Sequence, residues 1–152
     1  MLGGFIGNAE GANDYVNDLV TNWIHQIKML STIAKSEPHA AYAGFVTGFQ
    51  HKLNYFMRVI PNLCNLLTLL DEVLDTEFIP ALTDGHICSK EERLLLSLPS
   101  KQGGLALPIF SVRAKSEYEN SRKVCDQHIS NIKLQQIEYS FDMEKFQRSR
   151  ER

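Results

Sequence analysis

Residues 36–61 read SEPHAAYAGFVTGFQHKLNYFMRVIP. Tyr42, Phe45, Val46, Phe49, Leu53, Phe56 and Ile60 recur there at steps of mostly three and four residues, the repeat of one buried helical face. Pro38 suits a first helical turn and Pro61 cannot continue one, so a helix is predicted up to about Ile60 with Ser36 as its cap. The same period occurs upstream over 12–34, at Val16, Leu19, Val20, Trp23, Ile24, Ile27, Leu30 and Ile33. It returns downstream at Leu63, Leu66, Leu67, Leu70, Val73, Leu74 and Phe78, ending before Pro80 and the turn Thr83–Gly85. The expected skeleton is therefore three long antiparallel helices with proline-marked corners.

Past that turn, Ser89 and Glu92 have the S-x-x-E spacing of a capping box ahead of Leu94, Leu95, Leu96 and Leu98, which predicts a helix of about two turns ended by Pro99. Residues 99–108, PSKQGGLALP, pair two glycines with an extended, strand-like Leu105–Leu107 piece. A fifth helix follows, with Phe110, Ala114, Tyr118, Cys125, Ile129 and Ile132 on its buried face. The whole reads as an all-α bundle of four to five helices over 1–132 with one short extended Gly-Gly turn segment, and then a charged, frayed tail over 133–152.

Composition supports a single core. The 152 residues are 43% apolar and 22% charged, and a chain of that size buries enough surface to fold without disulfides or a structural metal. Sixteen basic against eighteen acidic residues leave a net charge of −2, so the whole-chain field does not attract nucleic acid or an anionic membrane. Cys64, Cys88 and Cys125 form no disulfide framework, and no apolar run is long enough to span a bilayer. The opening residues lack the features of a secretory signal, so a cytoplasmic or nuclear protein without membrane contact is expected.

Little in the chain resembles a catalytic constellation. His86-x-Cys88 and Cys125-x-x-His128 pair metal-ligand types, but neither has the spacing of a structural zinc site, and no metal or other cofactor is expected. No nucleophile elbow is present, and the glycine-rich stretches near the start and near residue 103 lack the endings and context of phosphate loops. Asp71, Glu72, Asp75 and Glu77 read as the solvated face of the third helix. More informative is the second helix, where Thr47, His51, Asn54 and Arg58 follow at four, three and four and, with Lys52, make a polar stripe opposite the aromatic face. Such side chains donate readily to phosphate oxygens.

The order of segments resembles a known family. LGGFIG at residues 2–7, the long block ending HKLNYFMRVIP at 61, then FIPALTDG, LPSKQGGLALP and SEYENS are similar to the region directly downstream of the catalytic palm in retroelement reverse transcriptases. The resemblance spans residues 2–130 and is most specific over Ser36–Pro61 and Leu98–Pro108. It implies a thumb-like helical module that cradles a template–primer duplex, with His51, Lys52, Tyr55 and Arg58, and with Lys101, Gly103 and Gly104, contacting the nucleic-acid backbone or supporting the thumb. The family's polymerase centre is an upstream YxDD-type aspartate pair with a third aspartate, holding two metal ions about 3.5–4 Å apart. Asp71, Asp75 and Asp84 match no part of it, so no polymerase activity is expected of these residues and duplex binding should be weak outside a larger polymerase. The alternative is a free-standing helical module that binds a partner protein or itself through an exposed apolar face, to which Trp23 and the leucine-rich faces of the first and third helices would contribute.

Overall fold

The computed structural model describes residues 9–135, 142–144 and 147, so the LGGFIG opening and most of the 133–152 tail lie outside the described residues. The fold is all-α, and among the described residues there is no strand. We number the helices α1 (Ala9–Ala34), α2 (38–59), α3 (64–82), α4 (Lys90–Ser97) and α5 (Phe110–Leu134). α1 packs on the first half of α2 and along α3, while α5 packs on α3 and on the second half of α2.

Both α2 and α3 contain a π-helical stretch, Phe45–Phe49 and Leu74–Phe78, through which the backbone stays helical. The N–H of Gln50 bonds to the carbonyl of Phe45 and that of Ile79 to Leu74, five residues back in each case. The wider turn accounts for a departure from expectation at Pro80, which sits inside α3, two residues short of its end, instead of stopping it. The two stretches meet in the core. Phe45 lies with its ring centroid 5.0 Å from Phe78, 5.7 Å from Phe49 and 6.3 Å from Phe110, and Trp23 lies 5.1 Å from Phe56.

Trp23 is fully buried in this core, and so are Leu67, Leu70 and Leu74 of α3. The expectation that Trp23 and these leucines belong to an exposed apolar face is therefore corrected: they fill the chain's own interior. The fifth helix departs in the other direction. Phe110 and Ala114 are buried and Tyr118 is half-buried, but Cys125, Ile129 and Ile132 are exposed, because the second half of α5 runs past its contacts with α2 and α3. Ser36 is not the cap of α2 either; Glu37 holds that position without a side-chain bond, and the Ser36 hydroxyl donates to the Ile33 carbonyl at the end of α1. The capping box at Ser89 forms as expected, with both of its reciprocal bonds.

α4 turns its apolar side chains the wrong way for a simple amphipathic helix. Leu94 and Leu95 are 59% and 54% exposed, whereas Arg93 is buried. The Arg93 guanidinium donates to the Asp75 carboxylate, to the Leu107 carbonyl at 2.6 Å and to the Pro108 carbonyl at 3.1 Å. One helical turn from Asp75, buried Asp71 accepts the N–H groups of Phe110 and Ser111 at 2.8 and 2.9 Å. These are the free donors of the first turn of α5, whose own cap residue, Ile109, supplies no side-chain bond. The solvated acidic face expected on α3 is therefore overturned at Asp71, which serves as a helix cap delivered from another helix.

The strand-like reading of Leu105–Leu107 is also corrected. Ala106 adopts a left-handed conformation (φ 51°), and the segment folds back over the end of α4, where the N–H groups of Leu105 and Leu107 both donate to the Leu96 carbonyl and that of Ala106 to Leu98. The terminal carbonyls of α4 need such donors. The chain comes so close there that a Cβ on Gly104 would stand 2.1 Å from the Leu98 oxygen, while Gly103 takes a φ of 83°. Tyr42 ties the segment to α2 by donating its hydroxyl proton to the Leu105 carbonyl at 2.8 Å.

Removing Arg93 strands two buried carbonyls and loosens both α4 and the 105–109 segment. Arg93→Ala is expected to cost about 3–5 kcal/mol in urea-induced unfolding, and Arg93→Lys to recover only part of it, since an ammonium cannot span the carboxylate and both carbonyls as the guanidinium fork does.

Candidate nucleic-acid interface

His51, Lys52 and Tyr55 lie exposed on the outer side of α2, so the structure brings this part of the expected set onto one surface. Among the described residues neither His51 nor Lys52 has a hydrogen-bond or ion-pair partner. Tyr55 stands edge-on to Phe56 at 5.4 Å. Toward the N-terminus the same outer side continues through Gly48, Thr47, Gly44, Ala43 and Ala40, all exposed. A Cβ on Gly48 would meet nothing within 4 Å, so nothing inside the molecule requires glycine at this mid-helix position.

Arg58 has a different environment. Its Nε donates to Glu117 Oε2 at 2.9 Å while Arg113 donates to Glu117 Oε1 at 2.7 Å, so a single half-buried carboxylate joins α2 to α5. Burial would raise the Glu117 carboxyl, but the bonds and charges of Arg113 and Arg58 outweigh it and hold Glu117 below its ordinary range. Asp71 behaves oppositely: burial pushes it up against the pull of its bonds from Ser111 and Phe110 and the charge of Arg93.

The second expected group stands apart from the first. Lys101 is exposed on a short 3-10 turn, Ser100–Gln102, and Gly103 follows it at the surface. Gly104 is buried against α4, which removes it from any surface set and explains the glycine by packing instead. This loop reaches α2 at Tyr42, and Arg58 lies roughly 24 Å further along that helix at 1.5 Å per residue. With Gly104 buried and Arg58 held by Glu117, the seven positions do not form one free surface set.

Sequence reading missed Glu117 as the partner of Arg58, because a contact across 59 residues leaves no local signature. It also missed a groove of about 360 Å³ between α1 and α2, lined by Gln26, Met29, Leu30, Ile33, Gly48, Phe49 and Lys52, in which Met29 and Ile33 lie on the solvent side. No helix among the described residues is long and apolar enough to cross a membrane. Compared with known proteins, the chain matches no family model, no curated sequence and no solved structure.

Because the folded-state pKa of Glu117 is depressed, its stabilising contribution is complete above the ordinary glutamate range, about 4.3, and is lost as pH falls through the depressed value. Glu117→Gln is thus expected to lose stability at neutral pH and to converge on the parent chain in acid, as read by thermal melts between neutral pH and pH 3.

Proposed function

We propose that this chain is the thumb-like helical module of a retroelement reverse transcriptase, a part that holds the template–primer duplex and contains no polymerase centre. The wording and order of the Ser36–Pro61 and Leu98–Pro108 blocks suggest the family. The observation that carries the role is the outer face of α2, where unpartnered His51 and Lys52 follow directly on Gly48, a glycine with no internal reason to be there. A cation and an imidazole close to a helix position that carries no side chain of its own supply donors to a phosphate backbone. Lys101, on its separate loop, would make a second and independent contact. With a net charge of −2 the binding is weak and strongly salt-dependent.

The test is fluorescence anisotropy with a short RNA–DNA duplex at several salt concentrations. Lys52→Ala breaks no internal bond, so it should weaken binding and reduce the slope of log affinity against log salt by about 0.9, the value of one phosphate contact. Gly48→Ala should stabilise the fold by about 0.5–1 kcal/mol and still weaken binding of the duplex. Binding that is unchanged in both variants removes α2 as the contact surface.

The groove beside Lys52 favours a second reading, a helical module that binds a partner protein or a second copy through Met29 and Ile33. On that reading light scattering shows a mass rising with concentration, and the double variant Met29→Gln, Ile33→Gln returns it to the monomer. A parent chain that stays monomeric and binds duplex favours the first reading.

A further inference from the structure

Three chemically different ligand groups meet where the chain enters α4. His86 lies in the irregular connection after α3, Cys88 two residues on, and Glu92 in the first turn of the helix. One ligand atom from each, an imidazole nitrogen, the thiol sulfur and a carboxylate oxygen, all fall within 4.8 Å of one another. His86 Nε2 is 3.2 Å from Glu92 Oε2, and that same oxygen accepts the Ser89 N–H at 2.8 Å. The capping box thus fixes the carboxylate in place before any ligand arrives.

We propose that His86, Cys88 and Glu92 form a three-ligand site for a thiophilic divalent cation of the zinc class, with the fourth position open to water. A sulfur, an aromatic nitrogen and one carboxylate suit zinc or cobalt, while calcium and magnesium require oxygen ligands throughout. Metal–ligand bonds of about 2.0–2.3 Å place the donors of a tetrahedral site some 3.3–3.8 Å apart, so closure requires about 1 Å of movement. The half-exposed side chain of His86 supplies that movement toward the carboxylate that the capping box holds.

On the thiol's side of the cluster, Cys88 also lines a cleft of about 370 Å³ with Asp75, Ile79, Lys90, Arg93 and Ile109. Asp75 stands in this cleft beside Cys88, and the neighbouring Arg93 guanidinium is engaged by Asp75 and two backbone carbonyls.

Cobalt(II) titration of the untagged chain, in a Cys125→Ser background that removes the exposed thiol beside His128, tests the site. One equivalent should bind with a thiolate-to-cobalt charge-transfer band that zinc displaces. Cys88→Ser should abolish the band. His86→Ala and Glu92→Gln should each weaken binding at least ten-fold, about what loss of even an outer partner of a metal ligand costs. Glu92→Gln preserves the S-x-x-Q form of the capping box, so an unchanged far-ultraviolet circular dichroism spectrum separates a lost ligand from a lost helix. A band that survives Cys88→Ser, an affinity indifferent to both other variants, or no band at millimolar cobalt overturns the site.

Discussion

Arg93 and Asp71 hold the part of this molecule that helix packing alone does not reach. A buried guanidinium and a buried carboxylate are each costly to take out of water, and each is tolerated here because its polar capacity is met on several sides. Arg93 binds a carboxylate on α3 and two carbonyls just before α5, and Asp71 binds two N–H groups at the start of α5. Both act on residues 107–111, the link where the chain leaves its loop and re-enters a helix. Hydrophobic burial would accept several placements of α5 against α3; three directional donors and two acceptor oxygens accept only one.

This arrangement explains what the sequence could and could not reveal. Apolar periodicity located α1, α2, α3 and α5 because burial on a helix follows geometry, and the S-x-x-E spacing located the start of α4 because a cap is local chemistry. The same logic failed wherever a charged group turned inward. Periodicity counts Arg93 and Asp71 as outward residues and Leu94 and Leu95 as inward ones, and the structure reverses each of these assignments. What decides them is the supply of partners from distant segments, which no window along the chain contains. Gly104 belongs with them: its glycine looked like turn chemistry, and its reason is a carbonyl six residues earlier that leaves no room for a Cβ.

The candidate interface was legible in the same uneven way. The polar stripe of α2 followed from spacing, and the exposure of His51 and Lys52 agrees with it. Arg58 was equally visible as a cation but not as the partner of Glu117, and a guanidinium already paired with a carboxylate that it shares with Arg113 has fewer donors to offer a phosphate. His86, Cys88 and Glu92 show the opposite failure. The first two were weighed as a pair and the third as a cap, and only the fold makes them neighbours.

The two π stretches link interior to surface. Each inserts a wider turn at the centre of its helix and presents two core residues at once, Phe45 with Phe49 and Leu74 with Phe78. In α2 that turn also contains Gly48, so the segment most committed to the core on one side is the barest on the other. Internal packing explains the phenylalanines fully and the glycine not at all. A mid-helix glycine weakens the helix by about 1 kcal/mol relative to alanine, and here no close approach or positive φ within the molecule offsets that cost. Gly48 and Lys52 border the apolar groove between α1 and α2 that Met29, Leu30, Ile33 and Phe49 complete, so the bare side of this turn opens onto a surface depression shared by the two helices.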